Sequence, residues 1–203
     1  MTWMITFGGR TPDLRYLGMD DITTEDIAAA LCRTHRFNWP TSRPYTVAEH
    51  ALIVHEILQR DQAVRSPFVL LASLVHFAHL GYTGDLSEGM RSLLGAAWQQ
   101  EEERVRKAML TRFDLVAVWE CHRGRIEEAC LRARTAVRTQ LMPPVGPWDY
   151  VLAYQAPTWL HLSDGDAWSA DDWAATYHDH LENLCQEVAR VRGLRARMEI
   201  THV

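Results

Sequence analysis

Apolar positions recur at helical spacing through most of the chain, and nowhere do they alternate strongly enough to predict a strand. Ile27, Ala30 and Leu31 mark a first helix, with Thr23 or Thr24 as its cap. That helix fades near Arg36-Phe37, and residues 38–44 read as a loop with two prolines. Thr46-Val-Ala-Glu49 has the spacing of a capping box, and the helix it opens carries His50, Ala51, Val54, Ile57 and Leu58 to about Asp61. Ser66-Pro67 starts the next helix, apolar nearly all round from Phe68 to Val75 and therefore the expected central one, ended by Gly81 and Gly84. A short amphipathic piece from Leu86 to Leu94, a helix from Gln99 to Phe113 and a longer one from Leu115 to Met142 follow. Residues 145–169 are expected to be an ordered loop packed by aromatics, and Ser169-Ala-Asp-Asp172 starts a final helix to about Arg197. The lead, residues 1–22, reads as extended with turns at Gly8-Gly9 and Pro12-Asp13. The expected fold is all-α, one domain over 1–203.

Composition adds few constraints. With 203 residues, 47% hydrophobic and 23% charged, the chain is an ordinary globular domain, large enough to bury a core. A net charge of −5 gives no strong signal for nucleic-acid binding. Lysine occurs once, at Lys107, so nearly all positive charge is guanidinium; that group suits bidentate phosphate contacts, but a GC-rich genome gives the same bias and is the favoured explanation. Cys32, Cys121, Cys130 and Cys185 are widely spaced and read as reduced thiols. No N-terminal run reads as a signal peptide, and the apolar run around Phe68–Leu80 is interrupted by Ser73, His76 and His79, so no membrane span is expected and a cytoplasmic setting is the default.

The candidate chemistry lies in Tyr45-Thr-Val-Ala-Glu-His50, answered by Val75-His-Phe-Ala-His79 and Thr83-Gly-Asp85. A histidine near the start of one helix and another near the end of a second can meet in a bundle core, as metal sites in bundles do. With Cys32-Arg-Thr-His-Arg-Phe37 and Thr41-Ser-Arg-Pro44, these runs resemble the HD-domain phosphohydrolases, closest to the branch that contains bacterial 5'-deoxynucleotidases. The resemblance covers roughly residues 1–142 and implies an HD-domain helical bundle, with 143–203 as an aromatic loop plus C-terminal helix. It also implies one divalent metal, cobalt, manganese or zinc, held by a histidine, a tandem His-Asp and a distal aspartate.

Matched residue by residue, His50 falls at the first ligand and His76 at the tandem histidine. Phe77 falls where the tandem aspartate belongs, Leu80 where many members carry a proton-transferring glutamate, and Cys130 where the distal aspartate is expected. His79 and Asp85 are kept. Trp39-Pro40 resembles the pair lining the sugar pocket of that branch, with Arg36 and Arg43 flanking it as phosphate contacts. His178-Asp179, Arg132, Arg134 and Arg138 read as solvated helix surface. Two functions follow. The favoured one is a pseudoenzyme with a degenerate metal site, no cofactor, and a pocket for a nucleotide or similar phosphorylated ligand in a binding or regulatory role; relatives often form homodimers. The alternative is a working metal-dependent phosphohydrolase with His50, His76 and Cys130 as ligands, and His79 or Asp85 for proton transfer.

Overall fold

The computed structural model describes residues 2–38, 41–144, 153–165 and 168–200. Helices α1 (Thr24–Leu31), α2 (Val47–Arg60), α3 (Pro67–Val75), α4 (Leu80–Thr83), α5 (Glu88–Arg112), α6 (Val116–Gln140) and α7 (Ala170–Ile200) make the bundle. Among the described residues there are no strands, only isolated bridges at Trp3–Asp13 and His35–Thr46. The all-α expectation therefore holds. No helix among the described residues is long and apolar enough to cross a membrane.

α3 is the axis. Its residues from Val69 to Val75 are all buried, and it packs against α2, α6 and α7. Tyr177 of α7, fully buried, donates its hydroxyl hydrogen to the Leu74 carbonyl at 3.1 Å, satisfying the phenol inside an apolar contact. Thr23 is the cap of α1, accepting from the Asp26 amide. Asp26 in turn accepts from the Gly8 amide at 2.6 Å and from Arg10 at 3.0 Å, which ties the N-terminal lead to the bundle. Ser169 and Asp172 exchange side-chain to backbone bonds and start α7 as the sequence indicates.

Two sequence expectations need correction. The Thr46–Glu49 box is half formed: Thr46 accepts from the Glu49 amide, but the Glu49 carboxylate turns to Arg43 instead of the cap. The apolar helix does not run through to Leu80. It ends at Val75, a turn carries His76–His79, and α4 resumes. That turn re-aims the three histidine-region side chains. The two pieces expected over 86–113 are present: the helical span Glu88–Arg112 is divided at Gly95, whose φ of 61° and ψ of −147° lie where a side chain would be strained. Gly81 allows α4 to sit against α1, since a Cβ there would come within 2.9 Å of the Ala30 methyl.

Candidate functional site

His50 and His76 are brought to the same buried place, and Phe77 lies against both. The Phe77 ring centroid is 3.7 Å from that of His76 and 5.2 Å from that of His50, and Phe77 is 4% exposed. His50, on the first turn of α2, has Nδ1 3.0 Å from the Tyr45 hydroxyl. Burial pushes the Tyr45 pKa well up, so this hydroxyl keeps its proton and donates to the ring. Nε2 of His50 is buried with no hydrogen-bond partner. Burial, with Arg36 and Arg134 nearby, pushes the His50 pKa well below its usual value, so the ring is neutral.

His76 is oriented from the other side. Its Nδ1–H donates to the Ser73 carbonyl at 2.9 Å, so Nε2 is the lone-pair nitrogen, and it faces Cys130 Sγ at 3.6 Å. Burial, then Arg106, lowers the His76 pKa strongly, while burial pushes the Cys130 thiol up to about 12. The pair is a neutral imidazole accepting from a protonated thiol. Trp119 stacks on the outer face of His76, with centroids 5.0 Å apart.

These donors do not fit a divalent ion. A phenyl ring, which has no lone pair to donate, lies against both imidazoles, and among the described residues no group of three or more His, Cys, Asp or Glu could hold a metal. Of the three ligands in the hydrolase alternative, His76 and Cys130 are in contact at 3.6 Å.

Beside this core lies a cavity of about 330 Å³, lined on its polar side by Arg36, Arg91, Arg106, Arg123 and Arg134 against the lone acid Glu127. Arg36 is aimed by the strand-like pairing of 34–36 with 45–47, where its amide donates to the Tyr45 carbonyl and Val47 donates to Thr34. Its guanidinium meets Asp85 at 2.5 Å, and Asp85 also accepts from Arg91 at 3.2 Å and from the Phe37 amide at 3.0 Å. The side chain of Asp85 is 1% exposed and its oxygens are saturated. It positions two arginines; it is not placed to move protons. Phe37 is held at φ 62°, a left-handed conformation that a bulky residue rarely adopts, and its ring stacks on Tyr45 and meets His50 edge-on.

The ion-pair chain continues through Arg91 to Glu102 at 2.7 Å. Burial works against the Glu102 carboxylate, but the Arg91 and Arg106 guanidiniums favour its charged form, and its pKa lies below the usual range. His79 donates Nδ1–H to the His76 carbonyl at 2.7 Å, and its Nε2 lies 3.2 Å from Arg106. Burial lowers its pKa to about 4. It is a neutral bracket between the loop and α5.

Arg43 is the clear correction among the expected phosphate contacts. It lies outside this cavity, in a two-pronged pair with Glu49 at 2.6 and 2.9 Å, with a further bond to the Leu162 carbonyl. Trp39 lies outside the described residues. Arg134, expected on a solvated face, lines the cavity, whereas Arg132 pairs with Asp61 at 2.5 Å and Arg138 bonds the Pro143 carbonyl. Asp179 is well exposed on α7, as expected for that dipeptide. Sequence reasoning missed Arg91, Arg106, Arg123 and Trp119. A signal existed on α6, where Trp119, Arg123, Glu127, Cys130, Leu131 and Arg134 fall at helical spacing on one stripe.

Fold and site thus define an all-α bundle with an arginine-lined cavity beside a buried His–Phe–His core. No protein-family model matches the chain. The chain is 33% identical over 118 residues to an uncharacterized protein of Rhodobacter capsulatus, an alignment spanning 57% of this chain and 60% of that protein. It is 26% identical over 118 residues to YfdR, an uncharacterized protein of Escherichia coli K12, over 58% of this chain and 62% of YfdR. The chain thus spans less than two thirds of the length of these curated relatives.

Proposed function

We propose that this protein is a non-hydrolytic relative of the HD-domain phosphohydrolases that binds a nucleotide or similar phosphorylated small molecule in the arginine-lined cavity. The observation that carries this reading is the concentration of five guanidinium groups around about 330 Å³, directly beside a His–Phe–His core that lacks carboxylate ligands. Guanidinium forks match phosphoryl oxygens in geometry, and in a partly dry cavity such charge-assisted bonds are among the strongest available.

Not every arginine is equally available. Arg36 is 7% exposed and committed to Asp85, so it supplies field more than contacts. Arg123 is 55% exposed and pairs with the half-exposed Glu127, a link that costs little to exchange for a phosphate. Arg106 pairs with Glu103 at the rim in the same way. A phosphoryl group entering between Arg106 and Arg123 would meet one largely buried and one half-exposed guanidinium, each now paired with a half-exposed glutamate. Trp119, on the cavity wall, stacks on His76 and carries the Arg123 guanidinium 5.9 Å from its ring centroid, which holds Arg123 at the cavity.

The hydrolase alternative is supported by the 3.6 Å contact of Cys130 with His76 alone. A homodimer, as relatives often form, is tested by light scattering of the purified protein. The binding reading is tested by titration calorimetry with deoxynucleoside mono- and triphosphates in chelator. Saturable one-to-one binding is expected, weakening with salt and weakening further in Arg123→Gln and Arg106→Gln. An absence of heat with every nucleotide and with inorganic phosphate would contradict it.

A further inference from the structure

A second cavity, of about 410 Å³, lies against another face of α2 and shares no lining residue with the arginine-lined one. Its walls come from α2, from the start of α7 and from residues 159–162 with Trp168. We infer that it is a binding site for a small, flat, uncharged heteroaromatic molecule, stacked among Trp159, Trp168 and Trp173 and hydrogen-bonded to His55.

The aromatic walls are set in place before any ligand arrives. Trp159 donates its indole N–H to Asp61 at 2.7 Å and carries the Arg60 guanidinium 4.7 Å over its ring. Trp168 and Trp173 lie against each other, centroids 4.4 Å apart and tilted by 34°. Trp168 is 43% exposed, so the indoles reach from the cavity to solvent. Indole walls of this kind favour planar partners through offset stacking.

His55 supplies the polar point. It lines the cavity, is 3% exposed, and its Nδ1 has no hydrogen-bond partner. The atom itself has no accessible surface, so a ligand group recovers the cost of its missing partner once the ring turns to present it. The ring packs edge-on against His180 at 5.4 Å. Burial, then His180, lowers the His55 pKa to about 4, so the imidazole is neutral near pH 7 and offers no charge to attract an anion.

The remaining charges are already matched. Glu49 is held by both prongs of Arg43, and Glu56 meets Arg60 at 2.6 Å. A neutral ring is the occupant that needs neither pair broken and leaves the Arg60 guanidinium on the Trp159 ring. The volume is near the lower end of the range for small-molecule sites, which suits one or two fused rings and not a larger ligand.

The test is ligand-observed NMR and fluorescence titration at pH 7.5 with adenine and indazole as flat neutral probes. Adamantanol serves as the neutral non-planar control, and benzamidine and benzoate as the charged planar ones. Saturable binding of one flat heterocycle per chain is expected, with the controls weaker by about tenfold or more. Thr176→Trp, which fills the cavity from a half-buried position on α7, and His55→Phe, which keeps a ring but removes Nδ1, should each weaken it by a similar factor. Circular dichroism and melting of Thr176→Trp confirm that the fold persists. No saturable binding of either heterocycle, equal binding of a control, or binding that survives either substitution would overturn the inference.

Discussion

Restoring carboxylates to the His–Phe–His core, by Phe77→Asp with Cys130→Asp, tests whether it is the remnant of a metal site. Phe77 is 4% exposed and in contact with both imidazoles, so removing its ring should cost roughly 3–5 kcal/mol, the range for truncating a buried aromatic. The new carboxylate at 77 would lie near Arg36, whose guanidinium carbon is 5.7 Å from the present ring centroid. Arg36 is already committed to Asp85, so it offers Coulomb attraction without new hydrogen bonds, and the burial penalty is only partly offset. At roughly 2–4 °C per kcal/mol for a chain of this size, melting in chelator should fall by about 6–20 °C. Bound manganese or cobalt would act only on the folded state and return about 2.7 kcal/mol at a hundredfold excess over its dissociation constant. Thermal melts of parent and double variant, each in chelator and in metal, read this directly. A double variant that melts alike in both would refute the reasoning, because His50 and His76 would then not be arranged to hold a metal even when given its missing ligands.

Other expectations follow from the same geometry. His55 and His79 each have a folded pKa of about 4 against an ordinary value near 6.5, so the unfolded chain binds more protons in that window. Stability should therefore be full above pH 6.5 and be lost as pH falls toward 4, by on the order of 3 kcal/mol per ring; urea midpoints that stay flat from pH 7.5 to 4.5 would contradict this. Asp85→Asn should destabilise by roughly 3–5 kcal/mol, because it leaves buried Arg36 without its counter-charge, while Arg123→Gln should stay within about 0.5 kcal/mol, both read by chemical denaturation. Iodoacetamide should label exposed Cys121 much faster than Cys130, whose thiol is held protonated by burial; mass spectrometry showing Cys130 labelled first would argue for a reactive Cys130–His76 pair.

The helical fold was legible because its signals are local. Thr23 and Ser169 cap their helices, Pro67 opens α3, and the unbroken apolar run of α3 marks the axis. The pairing of His50 with His76 was legible from their places near the start of one helix and the end of the next apolar run, and Phe77 lies against both. What was hidden depends on long-range placement. Arg43 and Arg36 flank the same loop, yet one turns to Glu49 and the other to Asp85, 49 residues away. The arginine cavity is assembled from the 34–36 segment, α5 and α6, and no single stretch of sequence contains it. The ending of α3 at Val75 was also hidden, since no proline or glycine stands there to announce it. The aromatic cavity depends on indoles from two separate segments closing over α2.

The central claim, binding without hydrolysis, is tested most directly by phosphorus NMR of the protein with a deoxynucleoside triphosphate and diamagnetic zinc, with parallel manganese and cobalt reactions read for product after chelator has removed the metal. The expected result is phosphorus resonances that shift and broaden saturably with protein, weaken in Arg123→Gln, and give no inorganic phosphate or monophosphate product over hours. Metal-dependent release of product that His76→Ala abolishes would contradict the account.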